Sequence, residues 1–265
     1  MAQSSRSTTY PPLAQFELSD RLVVLARTLH APAPEMEAAL EESVGNWKRF
    51  GETCLGQALY RHRSFFQNPS GTPAWSHTEL SYFRSMVPEA VIMDLVGSKQ
   101  RTKVQQLRAE LLLTTPSSFV LPRDWRGMSD KSERVASLEF IQVDQPYFED
   151  YRSFMRDYCG PAAAKIVRSG RFGTFRAMET MAVLYRDPAA QVDWNQIHLC
   201  ELNPDGFKGF GREFEAAMRD DRADGTDTSR DFADLDRIRT VPRWTFNDPV
   251  IEMDAALAQE GRTGN

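Results

Sequence analysis

The sequence lacks the features that mark membrane, secreted and disulfide-rich proteins. No apolar run approaches the ~18 to 20 residues that a membrane-spanning helix needs. The opening stretch, MAQSSRSTTYPPLAQ, has no apolar core of the kind found in signal peptides. The three cysteines, Cys54, Cys159 and Cys200, form no CxxC pair and no even disulfide framework, which fits a reducing compartment. We therefore expect a soluble, cytoplasmic protein with no membrane partner.

Sequence motifs for cofactors and metals are also missing. The chain contains no HExxH, no GxSxG and no phosphate-binding P-loop, and GFGREF (209–214) lacks the third glycine of a dinucleotide fingerprint. The four histidines are scattered, and no carboxylate–histidine pair has the spacing of a zinc site. We therefore expect no cofactor and no metal ion.

Composition and charge further restrict the class of protein to which the chain can belong. The 32 basic and 37 acidic side chains give a net charge of −5, without the basic excess of a nucleic-acid-binding protein. The 41% of hydrophobic residues is typical of a globular core, and 265 residues allow one large domain or two of about 130. Sixteen phenylalanines, seven tyrosines and five tryptophans could line an apolar ligand pocket, although most of them must belong to the core.

The sequence contains one order of predicted strands and helices that occurs twice. In the first copy a buried strand begins at Arg21, and Pro34 opens a helix whose apolar residues recur at helical spacing. A second strand follows from Gln57 to Phe66.

The third strand of the first copy is ambiguous. Both the segment 76–86 and the apolar run AVIMDLV (90–96) could form it. We favour AVIMDLV, because it leads directly into a helical stripe formed by Val104, Leu107 and Leu111.

The second copy begins with the strand SLEFIQVD (137–144). Pro146 opens its helix, strands follow at 174–185 and 195–202, and a second helix carries an aromatic stripe that includes Phe210 and Phe214. Pro34 precedes Pro146 by 112 residues, and the later elements are offset by up to 117. This spacing predicts two β-α-β-β-α-β units in tandem.

The predicted organisation has five parts. Residues 1–19 form a flexible arm, 20–122 the first half, 123–134 a linker, 135–248 the second half and 249–265 a C-terminal tail. The second half contains an aspartate-rich stretch, 219–237, which we interpret as a solvated loop. The last strand lies within IRTVPRWTF (238–246), and we place it at a sheet edge because Pro242 cannot donate a backbone hydrogen bond.

This element order resembles that of a tandem member of the dimeric α/β-barrel superfamily, which includes antibiotic-biosynthesis monooxygenases, muconolactone isomerase-like proteins and EthD-type proteins. The resemblance is carried mainly by SLEFIQVDQPYFEDYRSFM, TFRAMETMAVLY and WNQIHLCELNPDGFKGFGREFEAAM in the second half. It implies an α+β fold: two ferredoxin-like halves whose antiparallel sheets pack face to face as an α/β barrel, with a pocket between each sheet and its helices. It also implies cofactor-independent chemistry on small apolar or aromatic molecules.

Candidate catalytic residues come from the strands, since histidine moves protons near neutral pH. In the second strand Tyr60 and His62 share a face, because side chains alternate along a strand. His198 lies on the strand 195–202, and Glu179 stands among apolar neighbours on its own strand. If that face is buried, the pKa of Glu179 should be raised, although pairing with an arginine across the sheet is an equally good interpretation. Each strand histidine could instead be a hydrogen-bonded core residue.

We assign substrate binding to four further residues. Glu139 is a second carboxylate on a buried strand, two of the others lie on the strand of Glu179, and the last directly precedes the strand of His198. These residues are Glu139, Arg176, Tyr185 and Trp194.

Three functions remain open from the sequence. The first is a cofactor-independent lyase or isomerase that transfers protons on a small hydrophobic aromatic compound. The second is a cofactor-independent monooxygenase of the same superfamily, and the third is a haem-binding or ligand-binding protein in which His198 or His62 could be an axial ligand. The expected partner is a small aromatic substrate and not a nucleic acid, and the chain could form a homodimer.

Overall fold

The chain folds around one closed β-barrel. The structure is a computed structural model, and it describes residues 21–31, 33–45, 54–67, 75–83, 85–97, 104–120, 133–188, 193–203, 205–220 and 228–251. The predicted arm 1–19 and most of the predicted linker lie outside the described residues. The barrel strands are β1 (Val23–His30), β2 (Cys54–Gln67), β3 (His77–Phe83), β4 (Gln105–Val120), β5 (Val135–Val143), β6 (Phe172–Arg186), β7 (Gln196–Leu202) and β8 (Arg239–Ile251).

The strand order confirms the predicted fold class. Around the barrel it is β1-β3-β2-β8-β5-β7-β6-β4, with every pairing antiparallel. Within each half the order is that of a ferredoxin-like sheet, β4-β1-β3-β2 and β8-β5-β7-β6. The two sheets face each other across the barrel, as expected, and share one core. Their edge strands also pair, β2 with β8 and β4 with β6, so that no edge of the barrel is left open.

Side-chain alternation divides the barrel into two environments. One face of each strand points into the barrel, where side chains from both halves form a common core that includes Tyr60, Leu138 and Leu199. The opposite face points outward beneath the helices. In the second half this outer layer is a separate apolar cluster that joins the sheet to its helices and includes Ile141, Phe175 and Met218.

The helices cover the outer faces of the sheets. The first half has α1 (Pro34–Gly45) and α2 (Glu89–Gly97). In the second half a 3-10 turn (Gln145–Tyr147) leads into α3 (Phe148–Phe154), a π-helical segment (Met155–Cys159) and α4 (Gly160–Arg168), and α5 (Phe210–Asp220) and α6 (Thr228–Ile238) follow. Pro34 and Pro146 stand at the predicted starts, where a missing N–H costs nothing. Among the helices of the described residues, none has the length and apolar character needed to span a membrane.

The prediction for the third strand of the first half was wrong. AVIMDLV lies in α2, and the strand is β3, which comes earlier in the chain. All seven residues of β3 are buried, because one face points into the barrel and the other lies under helices. Because β3 contains polar residues, among them His77 and Glu79, its hydrophobic pattern did not indicate a buried strand. The stripe of Val104, Leu107 and Leu111 is likewise not a helix, since Leu107 and Leu111 lie in β4 and Val104 directly precedes it.

Three expectations about the C-terminal part were also wrong. The aspartate-rich stretch includes a helix, α6, and is not simply a loop. The last strand runs to Ile251, beyond the predicted end of the second half. It is not an edge strand either, since β8 pairs on both sides. Pro242, which has no N–H to donate, disrupts neither pairing of β8. The pairing with β2 ends at Trp244, and the pairing with β5 is irregular at the position of Pro242.

Candidate functional site

A cavity of about 450 Å³ lies between the outer face of the second-half sheet and its helices. Strands β5 to β8 form its floor, and the π-helical segment, α5 with the turn before it, and α6 form its roof. Its walls are mainly aromatic and aliphatic, and they include Met155, Phe172, Phe175, Leu202, Phe207, Phe210, Phe214, Leu235, Val241 and Trp244. This volume and this lining are typical of small-molecule sites.

A few polar groups converge on this apolar cavity. His198 of β7 and Glu139 of β5 are register partners, and His198 Nδ1 lies 3.9 Å from Glu139 Oε2. On the other side of the imidazole, Nε2 lies 3.3 Å from the hydroxyl of Tyr151 on α3. That hydroxyl accepts a hydrogen bond of 3.2 Å from Arg239 Nη1. The cavity therefore has one polar wall with a carboxylate, an imidazole and a guanidinium.

Burial sets the protonation states on this wall. Burial, and secondarily the positive charge of Arg239, lowers the pKa of His198 to about 3, so the imidazole is neutral near neutral pH. Burial also raises the pKa of Glu139, although Arg239 opposes this shift. The Glu139 side chain still keeps 25% exposure. A carboxyl group with a raised pKa beside a neutral imidazole can take up and return a proton.

Two free thiols, Cys159 and Cys200, also line the cavity. Burial raises the pKa of Cys200 well above its usual value, and Glu139 and Cys159 raise it further. A thiol that resists ionisation is a poor nucleophile. Cys200 therefore acts as an apolar wall residue beside the acid–base pair.

The π-helical segment shapes the roof. It lies between α3 and α4 and places Met155 and Cys159 on the cavity wall. A π-turn carries an extra residue compared with an α-turn and is frequent at functional sites. The aromatic stripe of this helix was visible in the sequence, but the bond from Tyr151 to His198 was not, because it depends on how the helix crosses the sheet. Arg239 was missed for the same reason.

The structure places Tyr60 and Arg176 inside the barrel, away from this cavity. Tyr60 donates a hydrogen bond of 2.7 Å to Glu201, and Arg176 donates one of 2.6 Å to Tyr82. Each bond crosses the interior between strands that are not neighbours in the sheet. These residues therefore tie the two halves together.

The remaining predicted site residues lie elsewhere. Glu179 is fully buried on the outer face, where it accepts a hydrogen bond of 2.8 Å from Arg152 on α3, and burial still raises its pKa. Trp194 packs in the barrel core and donates a 2.7 Å bond to Glu110. His62 is half-buried on β2 opposite Asn247, and burial lowers its pKa. Tyr185 is near the end of β6, opposite Ala109.

The two halves carry different residues at equivalent positions. The fifth residue of the first strand and the third residue of the third strand are partners in both halves. They are Glu139 and His198 in the second half and Arg27 and Glu79 in the first. Arg27 Nε donates a 3.0 Å bond to Glu79, whose other oxygen accepts from Gln57. A closed ion pair in the first half thus stands where the second half has the polar wall of its cavity.

The second-half cavity does not offer an open axial ligand for haem. One imidazole nitrogen of His198 contacts the Tyr151 hydroxyl, and the other faces the Glu139 carboxylate. The described lining contains only one cation, Arg239, to pair with the acidic groups of a haem. Across the described ranges, no group of three or more His, Cys, Asp and Glu side chains could hold a metal ion.

We expect His198 to make the protein sensitive to acid. Because folding lowers the pKa of this group from 6.5 to about 3, its contribution to stability is complete above pH 6.5 and is lost as the pH falls toward 3. At pH 5 the free energy of unfolding should be about 2 kcal/mol lower than at pH 8 on this account. Urea unfolding at both pH values measures the loss, and His198→Gln should remove it. An equal loss in both proteins would contradict the assignment, because the other titrating groups are common to both.

Comparison with known proteins gives similarity at the level of structure. Similar solved structures include an anthrone oxidase-like protein (12% identity, 90% of this chain and 95% of that chain, TM-score 0.49). A provisionally named monooxygenase from Fusobacterium nucleatum is also similar (8% identity, 88% of this chain and 93% of that chain, TM-score 0.48). So is a mutant chlorite dismutase from Candidatus Nitrospira defluvii (9% identity, 91% of this chain and 94% of that chain, TM-score 0.47). The sequence matches no protein-family model and no curated protein. The fold assignment therefore rests on the strand order and pairing described above.

Proposed function

We propose that the protein is a cofactor-independent enzyme, a lyase or isomerase, that transfers a proton on a small uncharged aromatic compound bound in the second-half cavity. The observation that carries the proposal is the convergence of Glu139 and His198 on one wall of a mainly apolar cavity. Apolar pockets with a few convergent polar groups are the usual form of a substrate site. Tyr60, His62 and Glu179 have no part in this mechanism.

The chemistry follows from the groups on the wall. The Glu139 carboxylate takes a proton from an acidic C–H or O–H of the substrate, and the electron pair left behind moves onto the ring or onto a conjugated oxygen. A neutral His198 beside it can donate a hydrogen bond to that oxygen, and protonated Glu139 returns the proton at a new position or to a leaving group. The mainly apolar walls lower the local dielectric around these groups, which strengthens both interactions.

The charges around the cavity favour an uncharged substrate. Among the described lining residues there are three carboxylates, from Glu139, Glu215 and Asp236, and one cation, Arg239. Arg239 is already engaged, since its Nε lies 3.8 Å from Asp236 and its Nη1 bonds to Tyr151. A carboxylated ligand would therefore enter a site with no cationic surplus, whereas a phenol or an aromatic ketone carries no such penalty.

A matched pair of variants at Gly211 tests the location of the site. Gly211 lines the cavity on α5, and a Cβ built there has no neighbour within 4 Å. Gly211→Leu should place its side chain in the cavity and abolish ligand binding, whereas Gly211→Ala should keep binding and gain up to about 1 kcal/mol of stability. Binding is measured by titration calorimetry with a panel of uncharged phenols and aromatic ketones, each paired with its carboxylated analogue.

The same panel in D2O tests the reaction. We expect wild-type protein to incorporate solvent deuterium into at least one compound, detected by mass spectrometry, and Gly211→Leu to lose this exchange. Binding of none of the panel, or exchange unaffected by Gly211→Leu, would overturn the proposal. Oxygen consumed in proportion to turnover would instead favour the monooxygenase, and a Soret band near ~400 nm after addition of haemin would favour the haem protein.

A further inference from the structure

Three side chains form a hydrogen-bonded row behind the cavity wall. Arg239 Nη1 donates to the Tyr151 hydroxyl at 3.2 Å, and that hydroxyl lies 3.3 Å from His198 Nε2. Beyond the imidazole, Nδ1 faces Glu139 Oε2 at 3.9 Å. Tyr151 is 1% exposed and His198 is 5% exposed, so water does not compete for these groups.

The chemistry of the donors gives this row a direction. A guanidinium has only N–H groups and can only donate, so the hydroxyl oxygen of Tyr151 must be the acceptor for Arg239. The one proton of that hydroxyl is then free to be donated, and His198 Nε2 is the acceptor within reach. If Nε2 carried a proton instead, the buried Tyr151 proton would have no acceptor, which costs about 1–3 kcal/mol. Nε2 therefore accepts, and the neutral imidazole carries its proton on Nδ1.

We propose that Tyr151 is a positioning residue that, with Arg239 behind it, holds His198 in the tautomer protonated at Nδ1. The Nδ1–H then points toward Glu139 and the cavity. If the proposed function holds, this assigns the two roles that it leaves open: Glu139 is the base, and His198 is a hydrogen-bond donor to the oxygen on which negative charge develops. His198 is then no proton acceptor on the cavity side, because its only lone pair is directed at Tyr151.

The tautomer can be measured without a substrate. In protein labelled with 15N at histidine, two-bond correlations between ring protons and ring nitrogens show which nitrogen is protonated. We expect wild-type His198 to show the pattern of a neutral ring protonated at Nδ1. A wild-type ring protonated at Nε2 would overturn the proposal outright, whatever any variant does.

A pair of variants separates the effect of Tyr151 on the tautomer from that of Glu139, because the Glu139 carboxylate also favours a proton on Nδ1. Glu139→Leu removes that acceptor, and the Nδ1-protonated pattern should persist because Tyr151 still donates to Nε2. Adding Tyr151→Phe keeps the ring but removes the donor, and the pattern should change to a mixture of tautomers. Loss of the pattern in Glu139→Leu alone, or its survival in the double variant, would overturn the role of Tyr151. The backbone amide spectrum checks that each variant is folded.

The tautomer of His198 is measured without any turnover of substrate, so it tests the positioning role separately from the proposed function. A protein that binds and exchanges no aromatic compound but shows the Tyr151-dependent tautomer refutes the proposed function and leaves the positioning role intact. A protein that turns over an aromatic compound while His198 is protonated at Nε2 refutes the positioning role alone.

Discussion

Glu139→Gln should lower kcat/KM for proton transfer by at least about 100-fold, because general-base catalysis contributes roughly 10²- to 10⁴-fold and glutamine cannot accept the proton. Glutamine keeps the size of the side chain, so binding of the substrate should change little and the loss should fall on kcat. The measurement is the rate of deuterium incorporation for the compound identified in the exchange panel. Glu149→Gln is the matched control, since Glu149 is an exposed carboxylate on α3 in the same half.

The pH profile gives a second readout of the same residue. The basic form of Glu139 is its carboxylate, so the rate should rise with pH through a pKa above the ordinary carboxyl value of 4.5. His198 adds no second limb near neutral pH, because its pKa is about 3. A Glu139→Gln enzyme with more than a tenth of the wild-type rate, or a wild-type rate that falls with rising pH, would contradict the assignment of Glu139 as the base.

Arg27→Met should destabilise the protein by about 3–5 kcal/mol, because it leaves Glu79 buried without its charge partner. The side chains of Arg27 and Glu79 are 8% and 1% exposed, and two bonds join them, so solvent cannot replace the guanidinium. Chemical unfolding at neutral pH measures the loss as a lower denaturant midpoint.

The double variant Arg27→Met, Glu79→Leu is the control for this prediction. It removes both charges from the same position, and replacing a buried ion pair by apolar residues of similar volume is often neutral. We expect its stability to return to within about 1 kcal/mol of wild type. A double variant as unstable as Arg27→Met would show that packing and not the unpaired charge is responsible.

The amino-acid sequence predicts this fold wherever local pattern and burial agree. Strand β1, strand β5 and the helices opened by Pro34 and Pro146 have apolar residues and end signals that point to one structure. Strand β3 could not be found this way. Its polar residues are buried by pairing with β1 and β2, as Glu79 is by Arg27, and such partners are distant in the chain.

The candidate site could be predicted only in part. His198 and Glu139 were selected as strand residues of the second half, and the structure makes them register partners. Tyr60 and Glu179 satisfied the same pattern, but their partners, Glu201 and Arg152, come from elements whose positions depend on barrel closure and helix packing. Alternation along a strand assigns a side chain to one of two faces and does not say which face holds the cavity.

Joining both sheets in one chain has a consequence for how this barrel can specialise. A barrel built from two identical subunits must repeat every substitution twice, so a change that opens a cavity on one side opens it on the other. Here the register position that holds Arg27 in one half holds Glu139 in the other, and Glu79 likewise corresponds to His198. One half can therefore keep a closed ion pair while the other varies to suit a ligand. Because both halves belong to one molecule, dilution cannot separate the half with the ion pair from the half with the cavity.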